Sequence, residues 1–237
     1  MTQDLRSQYR SAVIAAFPPV IHASGIIKDY WTKIESYFPK TQIFAVDDDQ
    51  RLIGFANMVM IHWVNPMEKL PQDGWDWLVK KSIHDYEQNL ELNTLGGLQI
   101  IVTKNFLGKG YSKKIITEIK KRKEHLGLQH LIIPIRPTLK HQFPRMKMSD
   151  YLNKKEGDKI YDPWIRTHVN GGARIVSVCS ESMRISGHME LWKSLLHNEQ
   201  ISSGDYIVEG GLNTVAIDVS NDHGVYLEEN IWISYDV

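Results

Sequence analysis

The chain has little cysteine, no excess of either charge and no long apolar run. Among its 237 residues Cys179 is the single cysteine, which excludes an internal disulfide and a cysteine-based structural zinc site and suits a reducing compartment. Lys plus Arg and Asp plus Glu both number 28, so no overall field favours nucleic acid. No segment approaches the roughly 20 apolar residues of a membrane span, and MTQDLRSQYR lacks the apolar run of a signal peptide. We expect a cytoplasmic protein without nucleic-acid or membrane partners.

Metal-binding patterns are also missing. The ten histidines show no His-Glu-x-x-His spacing. Asp47-Asp48-Asp49 is better explained as the tip of a hairpin, because nothing nearby in the sequence completes a coordination sphere. We therefore expect no metal site.

The composition is that of a globular protein, with 42% hydrophobic and 24% charged residues and no internal repeat. We expect a single domain over residues 1–237, with N-terminal helices in 1–40, an inserted loop at 137–161 and additional strands in 200–237. Hydrophobic periodicity and turn residues supply the remaining elements. Helices are predicted at 5–16, 26–38, 74–90, 111–126, near 149–155, from 162 to 170 and at 188–196. Strands are predicted at 42–46, 51–60, 98–103, 130–135, 174–178, 183–186 and near 205–208, 214–218, 223–227 and 230–235.

The segment LQIIVTKNFLGKGYSKKIITEI, residues 98–119, carries the most information. It predicts a buried strand, a tight loop with Gly108 and Gly110, and a basic amphipathic helix. Two glycines let backbone N–H groups approach an anion closely, and the helix N-terminus adds a partial positive charge. The segment therefore predicts a phosphate-binding loop.

The order strand, strand, helix, strand, helix, strand, with this loop in the middle, resembles the GNAT superfamily of acyl-CoA N-acyltransferases. The family signature, Arg or Gln, two residues, Gly, one residue, then Gly or Ala, stands here as Asn105-Phe106-Leu107-Gly108-Lys109-Gly110. IPIRPTLKHQF, DPWIRTHVNGGARIV and residues 205–237 are similar to a bacterial GNAT-like transferase subfamily and, more distantly, to loading GNAT-like domains of polyketide synthases. The implied fold is α/β, with a mixed, strongly bent central sheet, helices on both faces and extra C-terminal strands.

The resemblance implies coenzyme A, as acyl-CoA, as the cosubstrate. The strand before the loop would pair with the pantetheine arm, backbone amides and Ser112 would face the pyrophosphate, and the lysines would neutralise phosphate charge or form a solvated face. The implied binding residues are Ile101, Val102, Thr103, Leu107, Gly108, Lys109, Gly110, Tyr111, Ser112 and Lys113.

His168 occupies the place where many GNAT enzymes keep a proton-donating tyrosine, four residues before a glycine. Histidine can act as acid or base near neutral pH, although it could instead be a packed histidine at a helix end. Thr138, which follows the strand at 130–135, and Arg184 are expected beside the acyl thioester. Arg184 would hold a carboxylate if the acyl group is malonyl-like, and Arg166 competes for that role.

The predicted activity is acyl transfer from acyl-CoA to an amine by direct attack, because Cys179 shows no link to the loop. The alternatives are a GNAT-like decarboxylase, an S-acyltransferase to a carrier-protein thiol, or a non-catalytic acyl-CoA-binding protein. The acceptor would be a small molecule or a carrier protein, the chain could form a homodimer, and the inserted loop at 137–161 could cover the acceptor.

Overall fold

The structure, a computed structural model, describes residues 2–235 and alternates helices with strands. The helices are α1 (Gln3–Ala16), α2 (Pro19–His22), α3 (Gly25–Tyr37), α4 (Gly74–Glu87), α5 (Tyr111–His125), α6 (Met148–Leu152), α7 (Pro163–Asn170) and α8 (Met189–Leu196). The strands are β1 (Ile43–Val46), β2 (Leu52–Ile61), β3 (Thr94–Val102), β4 (His130–Ile135), β5 (Lys155–Glu156), β6 (Lys159–Ile160), β7 (Arg174–Gly187), β8 (Gly204–Ile207), β9 (Thr214–Asp218) and β10 (His223–Ser234).

One mixed sheet organises the chain, in the order β1-β2-β3-β4-β10-β9-β8, with β7 paired to β10. β3 and β4 run parallel, whereas the pairs on either side of them are antiparallel. Strands β5 and β6 form a separate hairpin within the inserted loop. The α/β class and the mixed sheet predicted from the sequence are confirmed.

Both faces of the sheet are buried, and successive side chains along a strand pack alternately into the two cores. On β10, Trp232 packs into a core shared with α3, α4 and α8, whereas Ile231 and Ile233 pack into a core shared with α5, α6 and α7. This alternation follows from the two-residue period of a strand. Helices therefore cover both faces of the sheet, as expected.

The parallel pair separates after three residues. Thr94–Gly96 pairs with His130–Ile132, and beyond this point β3 and β4 diverge. β10 then takes the other edge of β4, where Ile231 lies opposite Ile135. The result is an open wedge between β3 and β4, at the carboxyl ends of two parallel strands.

The glycines at the branch point allow close packing. A Cβ at Gly96 would lie 2.6 Å from the Leu78 side chain, and one at Gly97 would lie 2.8 Å from Ile133. The strand predicted at 98–103 therefore begins too late, because both glycines lie within β3. Because glycine has no side chain, α4 and β4 can pack closely against β3 at these two positions, and neither glycine forms a turn.

The C-terminal part is simpler than predicted. β7 is one long strand where two were expected, and β10 replaces the pair expected at 223–227 and 230–235. Register shifts, one of them at Glu228/Asn230, bend both strands without ending them. The extra C-terminal strands expected from the sequence are present, and β10 lies next to β4 in the sheet.

Candidate active site

A large crevice of about 1770 Å³ opens from the wedge between β3 and β4. One end is formed by the loop and first turn that follow β3. The other end is formed by side chains from α4, α7, β7, β10 and the segment after β4, and residues of α1 and α3 line a third side. The crevice therefore connects the phosphate loop to a region built from distant parts of the chain.

The loop has the backbone conformation that its glycines predict. Gly108 and Gly110 have φ of 72° and 77°, and a Cβ built on either would meet no atom within 4 Å. The glycines are therefore required by the left-handed conformation and not by crowding in the free protein. No side chain caps the N-terminus of α5, so its first-turn N–H groups are left for an anion.

A bulge interrupts β3 where the wedge opens. Gln99 lies opposite Asn57 and Gly97 opposite Met58, so Leu98 is the extra residue. Its carbonyl oxygen accepts a hydrogen bond from Trp75 Nε1 at 2.8 Å. A bulge residue does not take part in the regular hydrogen bonding between its strand and the neighbouring strand. The backbone of Leu98 is therefore not paired with β2, and Leu98 lines the crevice.

A buried polar cluster forms the opposite wall. Glu228 accepts hydrogen bonds from Arg136 Nε at 2.9 Å, Tyr226 Oη at 2.8 Å and Asn230 Nδ2 at 3.3 Å. Ser182 extends the cluster by donating to Asn230 Oδ1 at 2.7 Å. Burial alone lowers the pKa of Arg136, but the charge and hydrogen bond of Glu228 more than reverse this, so the pKa is raised. The cluster holds a permanent cation at the crevice.

Comparisons with known proteins found a similar sequence and similar folds. The chain is 22% identical to the arginine N-acetyltransferase avaD of Aspergillus versicolor over 249 residues, covering 93% of this chain and 85% of that one. The loading GNATL domain of CurA from Lyngbya majuscula shares the fold with a TM-score of 0.58 and 14% identity, over 99% of this chain and 93% of that one. This chain has the fold of GNAT-like domains.

A second solved structure shows the same fold. The GphF GNAT-like decarboxylase, solved in complex with isobutyryl-CoA, has a TM-score of 0.58 and 12% identity over 98% of this chain and 94% of its own. No family model matches the sequence. The wedge and glycine loop thus lie on a fold shared by GNAT-like domains that differ from this chain at most positions.

The predicted cosubstrate residues lie together in the structure. Every one of them lines the crevice except Lys109, whose Nζ lies 5.3 Å from the centre of the Phe106 ring. Thr103 lines the crevice with its Oγ1 donating to the carbonyl oxygen of Leu52 at 2.8 Å. The prediction that these residues bind CoA remains a prediction, and their placement supports it for all but Lys109.

The three predicted catalytic residues are not brought together. Thr138 lines the crevice. Arg184 is exposed and does not line it, because strand alternation turns Arg184 away from the face on which its neighbour Met183 meets the crevice. The competing residue, Arg166, donates from Nη1 to the carbonyl oxygen of Ile160 and has a structural role at the insertion.

His168 lies in the core. Its side chain is fully buried, its Nδ1 lies 2.6 Å from Tyr235 Oη, and its Nε2 has no hydrogen-bond partner among residues 2–235. Desolvation lowers its pKa to about 3, so the imidazole is neutral at physiological pH. The Trp164 ring, 4.2 Å away, lines the crevice in its place. The catalytic role predicted for His168 is not supported by this position.

His141 is a titratable side chain that the sequence analysis did not select. It is exposed, lines the crevice, and has its Nδ1 2.9 Å from the carbonyl oxygen of Thr138. A carbonyl oxygen only accepts, so Nδ1 carries the proton and Nε2 of the neutral ring is an acceptor. Its position in the basic segment after β4 was visible in the sequence, but its orientation was not.

Other chemistries find no support in the described part of the chain. Cys179 is fully buried, and desolvation raises the pKa of its thiol to about 12, so it is not a nucleophile. Within residues 2–235 no group of three or more His, Cys, Asp or Glu side chains could hold a metal ion. No helix in this range is long and apolar enough to cross a membrane.

Proposed function

We propose that this protein transfers an acyl group from acyl-CoA to an amine by direct attack in a ternary complex. The observation that carries the proposal is one continuous crevice. It joins the uncapped N-terminus of α5, the wedge between β3 and β4 and the buried polar cluster. Similarity to a named arginine N-acetyltransferase over 93% of the chain supports acyl transfer to an amine.

The half of the crevice at β3 would hold the cosubstrate. The backbone of Ile101 and Val102 faces the wedge and would pair with pantetheine, and the glycine loop with Ser112 would bind the pyrophosphate. The thioester would then reach the bulge at Leu98, where a backbone N–H polarises its carbonyl as the amine attacks.

His141 would remove the proton from the attacking amine. Its Nε2 is the acceptor atom of a ring whose orientation is fixed through Nδ1, and it lies beside the Thr138 carbonyl in the crevice wall. A base needs an available lone pair close to the reacting atom, and the buried ring of His168 has no exposed surface to offer one.

Direct attack is favoured over an acyl-enzyme. Cys179, the single cysteine, is a buried neutral thiol that does not line the crevice. Arg184, the residue expected to hold a malonyl-like carboxylate, does not line the crevice, and this favours acylation of an amine over decarboxylation. We further infer a cytoplasmic location, supported by this free thiol, and a small-molecule acceptor in preference to a carrier protein. A homodimer stays a prediction.

The test is to incubate the purified protein with acetyl-CoA and a panel of amines, amino acids and a carrier-protein thiol. Free CoA is measured by a thiol reagent, and the acylated acceptor is identified by mass spectrometry. We expect CoA release that depends on an amine and gives an N-acyl product. Tight CoA binding without release for any acceptor would instead indicate a non-catalytic acyl-CoA-binding protein.

A further inference from the structure

Arg136 is the charged group that the far half of the crevice presents to a ligand. It follows β4 directly, lines the crevice, and pairs with Glu228. The Arg136 side chain is 21% exposed, whereas that of Glu228 is 0% exposed. The carboxylate is therefore the inner member of the pair, and a molecule in the crevice meets the guanidinium.

The carboxylate of Glu228 is already bound by groups of the protein itself. Both of its oxygens accept hydrogen bonds, one from Arg136 and Asn230 and the other from Tyr226. Tyr226 Oη is in turn fixed by the backbone N–H of Leu212 at 2.8 Å. The carboxylate thus orients Arg136 and leaves little capacity to bind a cationic acceptor itself.

The guanidinium retains unused donors. A guanidinium has five N–H groups in one plane. Its Nε donates to Glu228, and its Nη2 donates to the carbonyl oxygen of Gly210 at 2.7 Å. Nη1 takes part in neither bond. Because the two bonds fix the plane of the fork, an oxyanion would bind to donors that are already oriented.

The direction of the side chain separates Arg136 from the phosphate loop. β4 lies between β3 and β10 in the sheet. Arg136 reaches from the end of β4 toward Glu228 on β10 and toward Gly210, whereas the glycine loop follows β3 on the opposite side. Its anionic partner therefore belongs to the acceptor and not to the phosphates of CoA.

We propose that the acceptor is an amino carboxylate, such as a free amino acid, whose carboxylate binds Arg136 while its amine faces the bulge at Leu98. This assignment rests on the proposed function and names the substrate class of that site. The carboxylate would make a two-point contact with the free edge of the fork, and the amine would attack the thioester carbonyl.

The experiment compares acceptors in pairs that differ only in the carboxylate: L-arginine with agmatine, L-lysine with cadaverine, and L-tryptophan with tryptamine. We expect kcat/KM to be about 10- to 100-fold higher for the amino acid of the reactive pair, the range for one charged hydrogen-bonded contact. Equal or higher kcat/KM for the decarboxylated amine would overturn the assignment.

Two variants locate the effect. Arg136→Lys keeps a cation beside Glu228 and removes the planar guanidinium. The ratio of kcat/KM for the amino acid to kcat/KM for its decarboxylated amine should therefore fall toward one, while the affinity for CoA stays unchanged. If CoA affinity falls and the preference stays, Arg136 belongs to the cosubstrate half and the assignment is wrong. Arg174→Lys is the matched control, because Arg174 pairs with Glu68 at 3.0 Å outside the crevice and should change neither quantity.

Binding of each pair to the CoA-bound protein, measured by calorimetry, separates this inference from the proposed function. Carboxylate-selective binding without turnover contradicts acyl transfer and supports the assignment of Arg136. Turnover of both members with equal efficiency supports acyl transfer and contradicts the assignment. If no pair reacts or binds, both fail. The comparison within pairs needs only the unmodified protein, so it stands even if Arg136→Lys does not fold.

Discussion

The two halves of the crevice recognise their ligands by different means. The half after β3 offers backbone N–H groups, glycines of positive φ and exposed lysines, in one continuous segment of sequence. The half after β4 offers side chains that hydrogen-bond to one another in a buried cluster and that come from β7, β10 and the segment after β4. If the first half binds phosphate as proposed, its backbone N–H groups would do so whatever the side chains around them, whereas the second half depends on each side chain of the cluster.

This difference has an energetic side. Losing one exposed lysine costs little, because solvent screens its charge. Losing one member of a buried ion pair leaves the other unpaired in a medium that solvates it poorly, which costs far more. We call the half after β4 the acceptor half and the half after β3 the cosubstrate half. Substitutions in the acceptor half should therefore change both ligand binding and the stability of the fold, whereas substitutions in the cosubstrate half should change binding alone. Five expected outcomes test this comparison.

The largest effect should follow loss of the proton acceptor. If His141 carries the proton, His141→Gln should lower kcat by about 10²- to 10⁴-fold, with CoA affinity unchanged. His168→Gln is the matched control, since His168 is fully buried away from the crevice, and its kcat should stay within a few-fold of the parent. The reverse pattern, measured with an amine that the parent acylates, would restore the role predicted for His168.

Removing the charge of Glu228 should cost more stability than the same change at the surface. Glu228→Gln leaves Arg136 without its anion, and we expect the free energy of unfolding to fall by about 3–5 kcal/mol. Glu118→Gln breaks an exposed pair with Lys121 and should cost less than about 1 kcal/mol. Urea unfolding of the two variants measures both, and equal losses would show that the cluster is not a stabilising unit.

The neutral state of His168 predicts a dependence of stability on pH. Its pKa is about 3 in the folded protein and about 6.5 when unfolded, so below pH 6.5 the unfolded chain binds a proton that the native state does not. Its contribution is therefore fully present above pH 6.5 and is lost on acidification, by about 1.4 kcal/mol per pH unit between pH 6 and 4. His168→Gln should remove this slope. A parent and variant with parallel stability profiles would show that the imidazole is not buried neutral.

The cosubstrate half was predictable because its determinants are local. The strand, the two glycines and the helix occupy residues 98–119, and each follows from periodicity or from a conformation that glycine allows. Lys109 is the one of these residues that does not line the crevice, because spacing along a loop does not fix the direction of a side chain. The start of β3 was predicted too late because Gly96 and Gly97, residues that are typical of turns, are required inside this strand by tertiary packing.

The acceptor half was not predictable in the same way. Arg136 and Glu228 are 92 residues apart, and their contact depends on β10 pairing with β4. A sequence signal did exist, since Glu228 is a charged residue in a C-terminal segment that becomes a buried strand. The same non-local pairing decides that Tyr235 meets His168, which turned a predicted catalytic histidine into a core residue.

Replacing a loop glycine should weaken CoA binding without a matching effect elsewhere. Gly110→Val forces a branched residue into a positive φ at the start of α5, a strain on the order of 1–3 kcal/mol, and obstructs the approach of the pyrophosphate. We expect about 10- to 100-fold weaker binding by calorimetry. Gly127→Val is matched, because Gly127 follows α5 with a φ of 67° and equally open surroundings. If both variants bind CoA alike, the loop is not the phosphate site.

The smallest effect should distinguish the two lysines of the loop. Lys113 lines the crevice, whereas Lys109 lies over the Phe106 ring and does not. Lys113→Ala should weaken CoA binding by about 2- to 5-fold, the contribution of one exposed charge, and the loss should shrink as salt is raised because exposed charges are screened. Lys109→Ala should leave the affinity unchanged at every ionic strength. An equal, salt-dependent loss of CoA affinity in both variants would mean that Lys109 also interacts with the phosphates. The exposed lysines of this half would then attract CoA through their summed positive charge and not through contacts at fixed positions.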